Sequence, residues 1–580
     1  MADNWQTYSF LFQGGLITNL APYQHGIQAP GSARILRNFE PSVFGGYRRV
    51  EGYTKFDIAT VPNSGNIRGI VRYGSNVYAA RGDDLFQSSG TLITAKVNGA
   101  VTSSATVTVD TKAGTIATGM QVVGTGITGT VTVNSISAQT SNTATVVLST
   151  AVTIADDVDV TFSAGWTQIT DSGTYSSAGV TLGGTGKVRF LKYDFDGTEK
   201  ILIVDATGKP FRFDGSTFSQ LSSLPTSTSG ASFVVNFKNH VILGNGKKLI
   251  FSAPYEDDDF TVANGGGEIN IGDTITGLIV FREQLVIFSE SSINVLNGNS
   301  VVDFTLQPVS RDLGCVAEDT VQEIGGDILF LGPDGLRTFS ATDKIGDFSL
   351  AVVSKPIQTE MIDLIGSSPD GFNSTVIREK SQYRIFGFNS GFQDTAAKAV
   401  AGTQLQEGLQ WNDLRGFNVF SIFSEYDGFT ERIYFGNSDG YIYQMEQGNT
   451  QDGGHISATF ATPFVSLQDS EIRKTIYKGS TYLDVNGTFD LEFSLKFDFD
   501  QPAAVQPDSV LSTDAAATTF FGSGIYGTSI FGTKQKAIYE VQTVGSGFTV
   551  SILYETTGEG TDNVFSIDAA TLEYAVNDRR

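Results

Sequence analysis

An apolar strand, a tight turn of Gly, Asp, Asn or Ser, and a second apolar strand recur along this chain. In RIYFGNSDGYIYQM (432–445), Ile433, Phe435, Tyr441 and Tyr443 alternate with other residues about Ser438-Asp439-Gly440. Period two around a Gly turn is a hairpin signal. The layout returns in SNVYAARGDDLFQSSG (75–90), KILIVDATGKPFRFDG (200–215), NHVILGNGKKLIFSAP (239–254), EQLVIFSESSINVLNG (283–298) and GDILFLGPDGLRTFSA (326–341). QYRIFGFNSG (382–391) is a weaker copy. From Lys200 onward the copies start 39, 44, 43, 56 and 50 residues apart. One small sheet cannot bury both of its faces, but a ring of sheets can. The period therefore predicts an all-β chain built on a six- or seven-bladed β-propeller over 58–90 and 165–455. A sandwich with coincidental hairpin spacing is the alternative. Abundant Gly (65), Phe (42) and Tyr (20), with only 17% charged residues, fit many short strands and tight turns.

The period breaks between the first two copies. Residues 91–164 contain no aromatic until Phe162 and are dominated by Thr, Val, Ser, Ala and Gly. Alternation such as TVTV argues for strands, because Val and Thr fit a pleated surface. This segment is expected to be a small β-sandwich inserted into a blade loop. The tail, 456–580, alternates over long stretches such as TYLDVNGTFDLEFSLKFDFD (481–500), which predicts an antiparallel sandwich acting as a platform. Within it, FFGSGIYGTSIFGTK (520–534) repeats an aromatic-Gly unit every five residues. That period fits neither helix nor strand. It reads as a surface loop whose Phe521, Tyr526 and Phe531 either meet a partner or tuck against their own domain. One short helix is expected around Ile357–Ile365. The start, 1–57, is rich in Gly and Pro and reads as an extended segment packing with the platform rather than as a core element.

Net charge is −24, and no long basic run offers itself to phosphates. Cys315 is the only cysteine, which rules out an intrachain disulfide and points to a buried structural thiol. No apolar run approaches the roughly 20 residues of a membrane-spanning helix, and MADNWQTYSF does not read as a signal peptide. Several chemical motifs fail on inspection. GTGITG (124–129) has dinucleotide-loop spacing but is followed by TVTV rather than by a helix. GGTGK (183–187) lacks the first Gly and the closing Ser or Thr of a P-loop. DFDG (194–197) lacks the later ligands of a Ca²⁺ loop and reads as a strand-to-turn element. YEDDDF (255–260) could bind a cation but reads as a solvated loop. His25, His240 and His455 have no metal-ligand spacing. No catalytic residue, metal or cofactor is expected.

The two ends carry the most specific text. FQGGLITNLAPYQHGIQAPGSARILRNFEPSVFGGYRRVEGYTKFD (12–57) resembles the opening of virion proteins from tailed bacteriophages. The matching residues are Gly14, Gly15, Asn38, Phe39, Glu40, Pro41, Gly45, Gly46, Tyr47, Arg48, Arg49, Gly52 and Tyr53. SEIRKTIYKGSTYLDVNGTFDLEFSLKFDFD, IYGTSIFGT and FSIDAATLEY are similar to the closing domain of the same proteins. The family is the tail nozzle of short-tailed phages, also called tail tubular protein B or tail-accessory stabilisation protein. The resemblance implies a β-propeller with β-rich platform domains, assembled as a homohexameric tube below the adaptor ring. It implies a place in the virion tail, possible contact with tail fibres, and passage of double-stranded DNA without specific binding. Arg48 and Arg49, exceptional in an acidic chain, pair under this reading either with a carboxylate of the adaptor or a neighbouring subunit, or locally. Tyr47 is grouped with them as a contact residue. The rival classes are a lectin-like or receptor-binding propeller and, last, a polysaccharide-degrading enzyme, which needs two facing carboxyls.

Overall fold

The computed structural model describes residues 5–169, 182–184, 186–225, 230–340, 352–368, 371–389, 397–406, 408–485, 489–501, 506–514, 518–519, 530–531, 535–556 and 564–577. The chain is nearly all β. Seven small antiparallel sheets follow one another: 67–88 with 167–168, 188–220, 233–270, 275–310, 322–338, 372–415 and 421–445. In six of these sheets the hairpin legible in the sequence supplies the second and third strands, as Glu199–Asp205 and Phe211–Phe213 do in the second sheet, and in the sixth the weaker copy supplies only the second, Gln382–Gly387.

The apolar runs are continuous because both faces of these strands are buried. Ile201 and Ile203 join Val71, Tyr78 and Leu85 in a core shared with the first sheet. Their neighbours Leu202 and Val204 point the other way and meet Val241 and Leu243 of the third sheet. The same sharing links the third sheet to the fourth, the fourth to the fifth, the fifth to the sixth and the sixth to the seventh. Ile67 and Val77 of the first sheet then pack with Tyr434 and Ile442 of the seventh, so the series returns on itself as a propeller-like ring.

The seventh sheet takes its fourth strand from the other end of the chain. Tyr53–Lys55 pairs antiparallel with Ile442–Met445, Tyr443 opposite Lys55 and Met445 opposite Tyr53. The Tyr53 ring lies 5.1 Å from both Phe435 and Tyr443. RIYFGNSDGYIYQM is therefore the middle of the last sheet, closed by a strand almost 400 residues earlier.

The insert departs from expectation. Its six strands close into a barrel in the order 92–97, 101–110, 144–154, 131–139, 121–124, 159–163 rather than stacking as a sandwich. Register shifts in 101–110 and 131–139 bend the long strands, and bulges of this kind let a sheet curl onto itself. Small Val, Ala and Ile side chains fill the narrow interior, with Phe162 the one aromatic. Leu92 lies opposite Ser163, so the barrel enters and leaves the ring at one place.

The segment 1–57 is also corrected. It carries a short helix, Pro22–Gln28, and it is core: Phe10, Phe12, Leu16, Leu36, Phe39 and Tyr47 are all buried in the largest apolar cluster. Its apolar residues show no period because the backbone path is irregular. Gly14 and Gly15 both have positive φ, and a side chain on Gly15 would strike the Trp411 backbone, 2.8 Å from its nitrogen. Strand Trp5–Leu11 pairs with Phe565–Val576, and Tyr47–Arg49 joins the same strand further along. Phe565–Val576, Lys474–Val485 and Gln535–Gly547 complete that sheet. Facing it is a nine-stranded sheet in which the sixth ring sheet continues through Ile35–Arg37 and Thr459–Ala461 into Val550–Glu555, Phe489–Phe497 and Val510–Asp514. Ring and platform thus share one hydrogen-bonded sheet. The helix expected at Ile357–Ile365 is Gln358–Ser367, which buries Met361 and Leu364.

Candidate functional site

The resemblance residues converge on the seam between ring and platform. Phe39–Pro41 and Tyr47–Arg49 form a hairpin that sets Glu40 opposite Arg48 in register. Glu40 is buried and accepts from Lys380 Nζ at 2.7 Å, Arg384 at 3.2 Å and Gln382 at 3.3 Å. The side chain of Arg384 is wholly buried, and its other nitrogen reaches Glu446 at 2.7 Å. Lys380 also pairs with Glu446. Arg48 pairs with Glu51, which lies 3.9 Å from Lys380. Three carboxylates and three cations therefore neutralise one another between the two bodies. Burial alone would raise the Glu446 carboxyl, but Arg384 and Lys380 more than offset this and hold it at about 2. Burial pushes Glu51 the other way, upward, with the Glu446 charge adding to the push. Beside the cluster opens a cleft of about 650 Å³ lined by Ser42, Phe44, Arg48, Lys380, Thr403 and Asp568, among others.

This arrangement decides the fate of the sequence candidates. Tyr47 is fully buried, and its hydroxyl bridges Gly15 N–H and the Gly31 carbonyl, each at 3.2 Å. Arg49 is fully buried and donates to the Asn449 carbonyl at 2.7 Å. Neither can meet a partner, because each is consumed in joining the N-terminal hairpin to its own chain. Arg48 takes the local alternative through Glu51. Phe521 and Tyr526 lie outside the described residues, and Phe531 falls in the short strand Ile530–Phe531, whose side chains are likewise outside them. The exposed side chains at the seam are instead Val43 and Phe44 at the hairpin tip, Phe44 being 98% exposed.

A second cluster sits on the ring axis, where the first strands of the sheets converge around a cavity of about 270 Å³. Arg189 spans it, bonding Asp319 at 2.8 and 2.9 Å, Glu318 at 2.9 Å and the Ser232 carbonyl at 2.7 Å. Lys187 bonds Asp319 at 2.7 Å and, in the sixth sheet, the Phe372 carbonyl at 2.8 Å and Asn373 at 2.6 Å. Arg68 donates to three carbonyls, those of Gly186, Gly82 and Gly183. Burial would raise the Asp319 carboxyl, but Arg189 and Lys187 carry it well below the usual carboxylate range. Each of these side chains is spent on holding sheets to one another.

The other candidate groups have structural partners too. Asp257 of YEDDDF accepts from the Tyr193 hydroxyl at 2.6 Å and from Arg212 at 2.5 Å. Asp194 accepts from Gly197 N–H across the DFDG turn at 2.6 Å. His25 lies 2.7 Å from the Ser32 hydroxyl, and His240 donates to the Ser252 carbonyl at 2.6 Å. Cys315 is buried, and burial pushes its thiol up. Among the described residues no group of three His, Cys, Asp or Glu is placed to hold a metal ion, and no helix is long and apolar enough to cross a membrane. Sequence reasoning passed over Lys380, Arg384, Glu446, Arg189 and Asp319. The one available signal was a charge inside an apolar strand, Arg384 in QYRIFGF.

No family model and no curated protein matches the chain. Among solved structures it is similar to the computationally designed Ika8 protein, at 10% identity over 67% of this chain and 99% of that one, with a TM-score of 0.32. It is also similar to an exo-beta-1,3-galactanase from Phanerochaete chrysosporium, at 9% identity over 90% of this chain and 99% of that one, with a TM-score of 0.22. The AfRom2 CNH domain matches at 10% identity over 45% of this chain and 94% of that one, with a TM-score of 0.23. Likenesses this loose say nothing about what this chain does.

Proposed function

We propose that this chain is a structural virion protein, the tail-nozzle subunit of a short-tailed bacteriophage. In this reading the ring is a seven-bladed propeller. Copies of the chain, six in the family, stand below the adaptor ring and extend the conduit through which the genome leaves the capsid. The observation that carries the reading is the interleaving of the two chain ends. Strands from both segments that carry the family resemblance, Ile35–Arg37, Phe39–Pro41 and Tyr47–Arg49 from one and Lys474–Val485, Phe489–Phe497 and Phe565–Val576 from the other, build one two-sheet platform, which is joined to the ring through an unbroken sheet and a buried charge cluster. Continuous backbone hydrogen bonding makes a stiff join, which suits a part that bears load rather than one that turns over substrate. The axis of each ring is filled by Arg189, Lys187 and Asp319, so the DNA path in this reading runs between copies. A net charge of −24 lets phosphate slide past rather than adhere. The chain has no catalytic role in this proposal.

Quantitative mass spectrometry of purified particles tests it by reading this chain's copy number against the portal protein. Six or twelve copies per particle fit a nozzle ring. Three, or another number that is not a multiple of six, would point to a fibre or receptor-binding protein. Absence from the particle would overturn the proposal.

A further inference from the structure

The outer face of the platform carries an unusual concentration of exposed apolar side chains. Trp5, Leu11, Tyr477, Tyr482, Ile538 and Val544 lie on the strands Trp5–Leu11, Lys474–Val485 and Gln535–Gly547, which form a four-strand run with Phe565–Val576 between the first two. Leu11, Ala569, Tyr482 and Ile538 form one row straight across them. Among the described residues, no further strand pairs with the outer sides of Trp5–Leu11 and Glu540–Gly547. Trp5–Leu11 pairs only with Phe565–Val576, and Gln535–Gly547 only with Lys474–Val485. Free edges in monomeric proteins are blunted with charge, proline or bulges. WQTYSFL has no charged residue, no proline and no bulge.

The two edges match each other. Three antiparallel steps separate them, so they run in opposite directions, and a second copy set beside the first continues the antiparallel order. Leu11 and Trp5 are six residues apart, as are Ile538 and Val544. An antiparallel register that places Leu11 level with Ile538 therefore places Ser9 opposite Glu540 and Thr7 opposite Gln542, and, past the register shift that follows Gln542, Trp5 beside Val544. All eight are exposed and share the outer face. Apolar meets apolar, polar meets polar, and no like charges oppose each other. Gly31 comes up against the Leu11 carbonyl, so backbone pairing runs over Trp5–Ser9 and Leu11 meets Ile538 through side chains alone.

We infer that the edge Trp5–Ser9 of one copy adds to the edge Glu540–Val544 of the next, a head-to-tail joint that closes into a ring. This inference rests on the assembly reading above and names the surface that reading requires. Cysteine cross-linking of the full chain tests it, with the buried Cys315 as a silent background. Under oxidation, Ser9→Cys/Glu540→Cys is expected to give a ladder of cross-linked multimers on a non-reducing gel, while each single substitution gives none. Ser9→Glu, which sets two acids opposite one another, is expected to weaken association about two- to five-fold per joint. Ser9→Glu/Glu540→Lys is expected to restore it. Circular dichroism of each variant confirms the fold.

Several outcomes would overturn the joint. A dimer from Ser9→Cys or Thr7→Cys alone would mean that two identical edges meet. A chain that assembles without a ladder would remove this joint and leave the assembly reading standing. A chain that stays single, with no cross-link at about 100 µM, would mean that the edge serves an extended segment of another protein. The particle copy number judges the nozzle reading separately.

Discussion

At the residue scale, the buried charges do the joining. Arg384 has no exposed surface and faces both Glu40 and Glu446. Removing one member of a buried pair leaves the others uncompensated, a loss of about 3–5 kcal/mol. Arg384→Met is expected to lower the denaturant midpoint accordingly. Arg384→Met/Glu446→Gln should lose less than the sum of the two single changes, because the orphaned carboxylate is gone. Equal midpoints for Arg384→Met and the parent chain would refute this account. The acid limb follows from the same cluster. Glu446 is depressed to about 2, so its contribution is complete above the ordinary glutamate range near 4.5 and is lost as pH falls from there to about 2. Asp319 acts with the same sign. Glu51, pushed up by burial, acts with the opposite sign, because protonation relieves it. Glu446→Gln is expected to flatten the fall in melting temperature between about pH 4.5 and 2. An unchanged slope would show that other carboxylates carry it.

At the element scale, two strands and one module matter most. Tyr53 lies on the strand that completes the seventh sheet, 4% exposed and packed against Phe417, Phe435 and Tyr443. Tyr53→Ala removes a buried aromatic, a cost of about 3–5 kcal/mol. Its expected signature is early loss of amide protection in 421–445, read by hydrogen exchange. Among the described residues the barrel of 92–163 shares no apolar cluster with the ring, and its ends are adjacent. Replacing it by a short Gly-Ser link is expected to leave the ring's melting transition within a few degrees, and the excised barrel should give a folded spectrum alone. A ring that fails to fold without the barrel would show that the insert is part of the scaffold.

At the scale of the whole molecule, closure and charge set the behaviour. Each ring sheet is sandwiched between two others, so no sheet can keep its core when a neighbour leaves. The chain carries −24, and copies repel one another at low salt. Raising salt from about 20 to 200 mM shortens the Debye length from roughly 20 Å to under 10 Å. The self-association proposed above, measured by sedimentation, is therefore expected to strengthen by about two-fold or more. Weakening with salt would mean that ion pairs, rather than the apolar rows of the platform face, hold the copies together.

The local elements were legible in the sequence because their signals are local. Period-two alternation, Gly turns and two-sided apolar runs placed the ring hairpins from Asn76 to Met445, the composition shift marked the insert, and the long alternating tail marked the platform. What the sequence could not carry were decisions made between distant segments. Tyr53–Lys55 shows no strand signal of its own until Ile442–Met445 lies beside it. Phe10, Phe12 and Leu16 follow an irregular path, so they show no period although they are core. The barrel rather than a sandwich came from bulges, which sequence alternation does not register. Tyr47 and Arg49 read as surface contacts because charge and hydroxyl count as polar in a sequence. The tertiary structure buried both: the Tyr47 hydroxyl is held by Gly15 and Gly31 of its own irregular segment, and Arg49 by Asn449, 400 residues away.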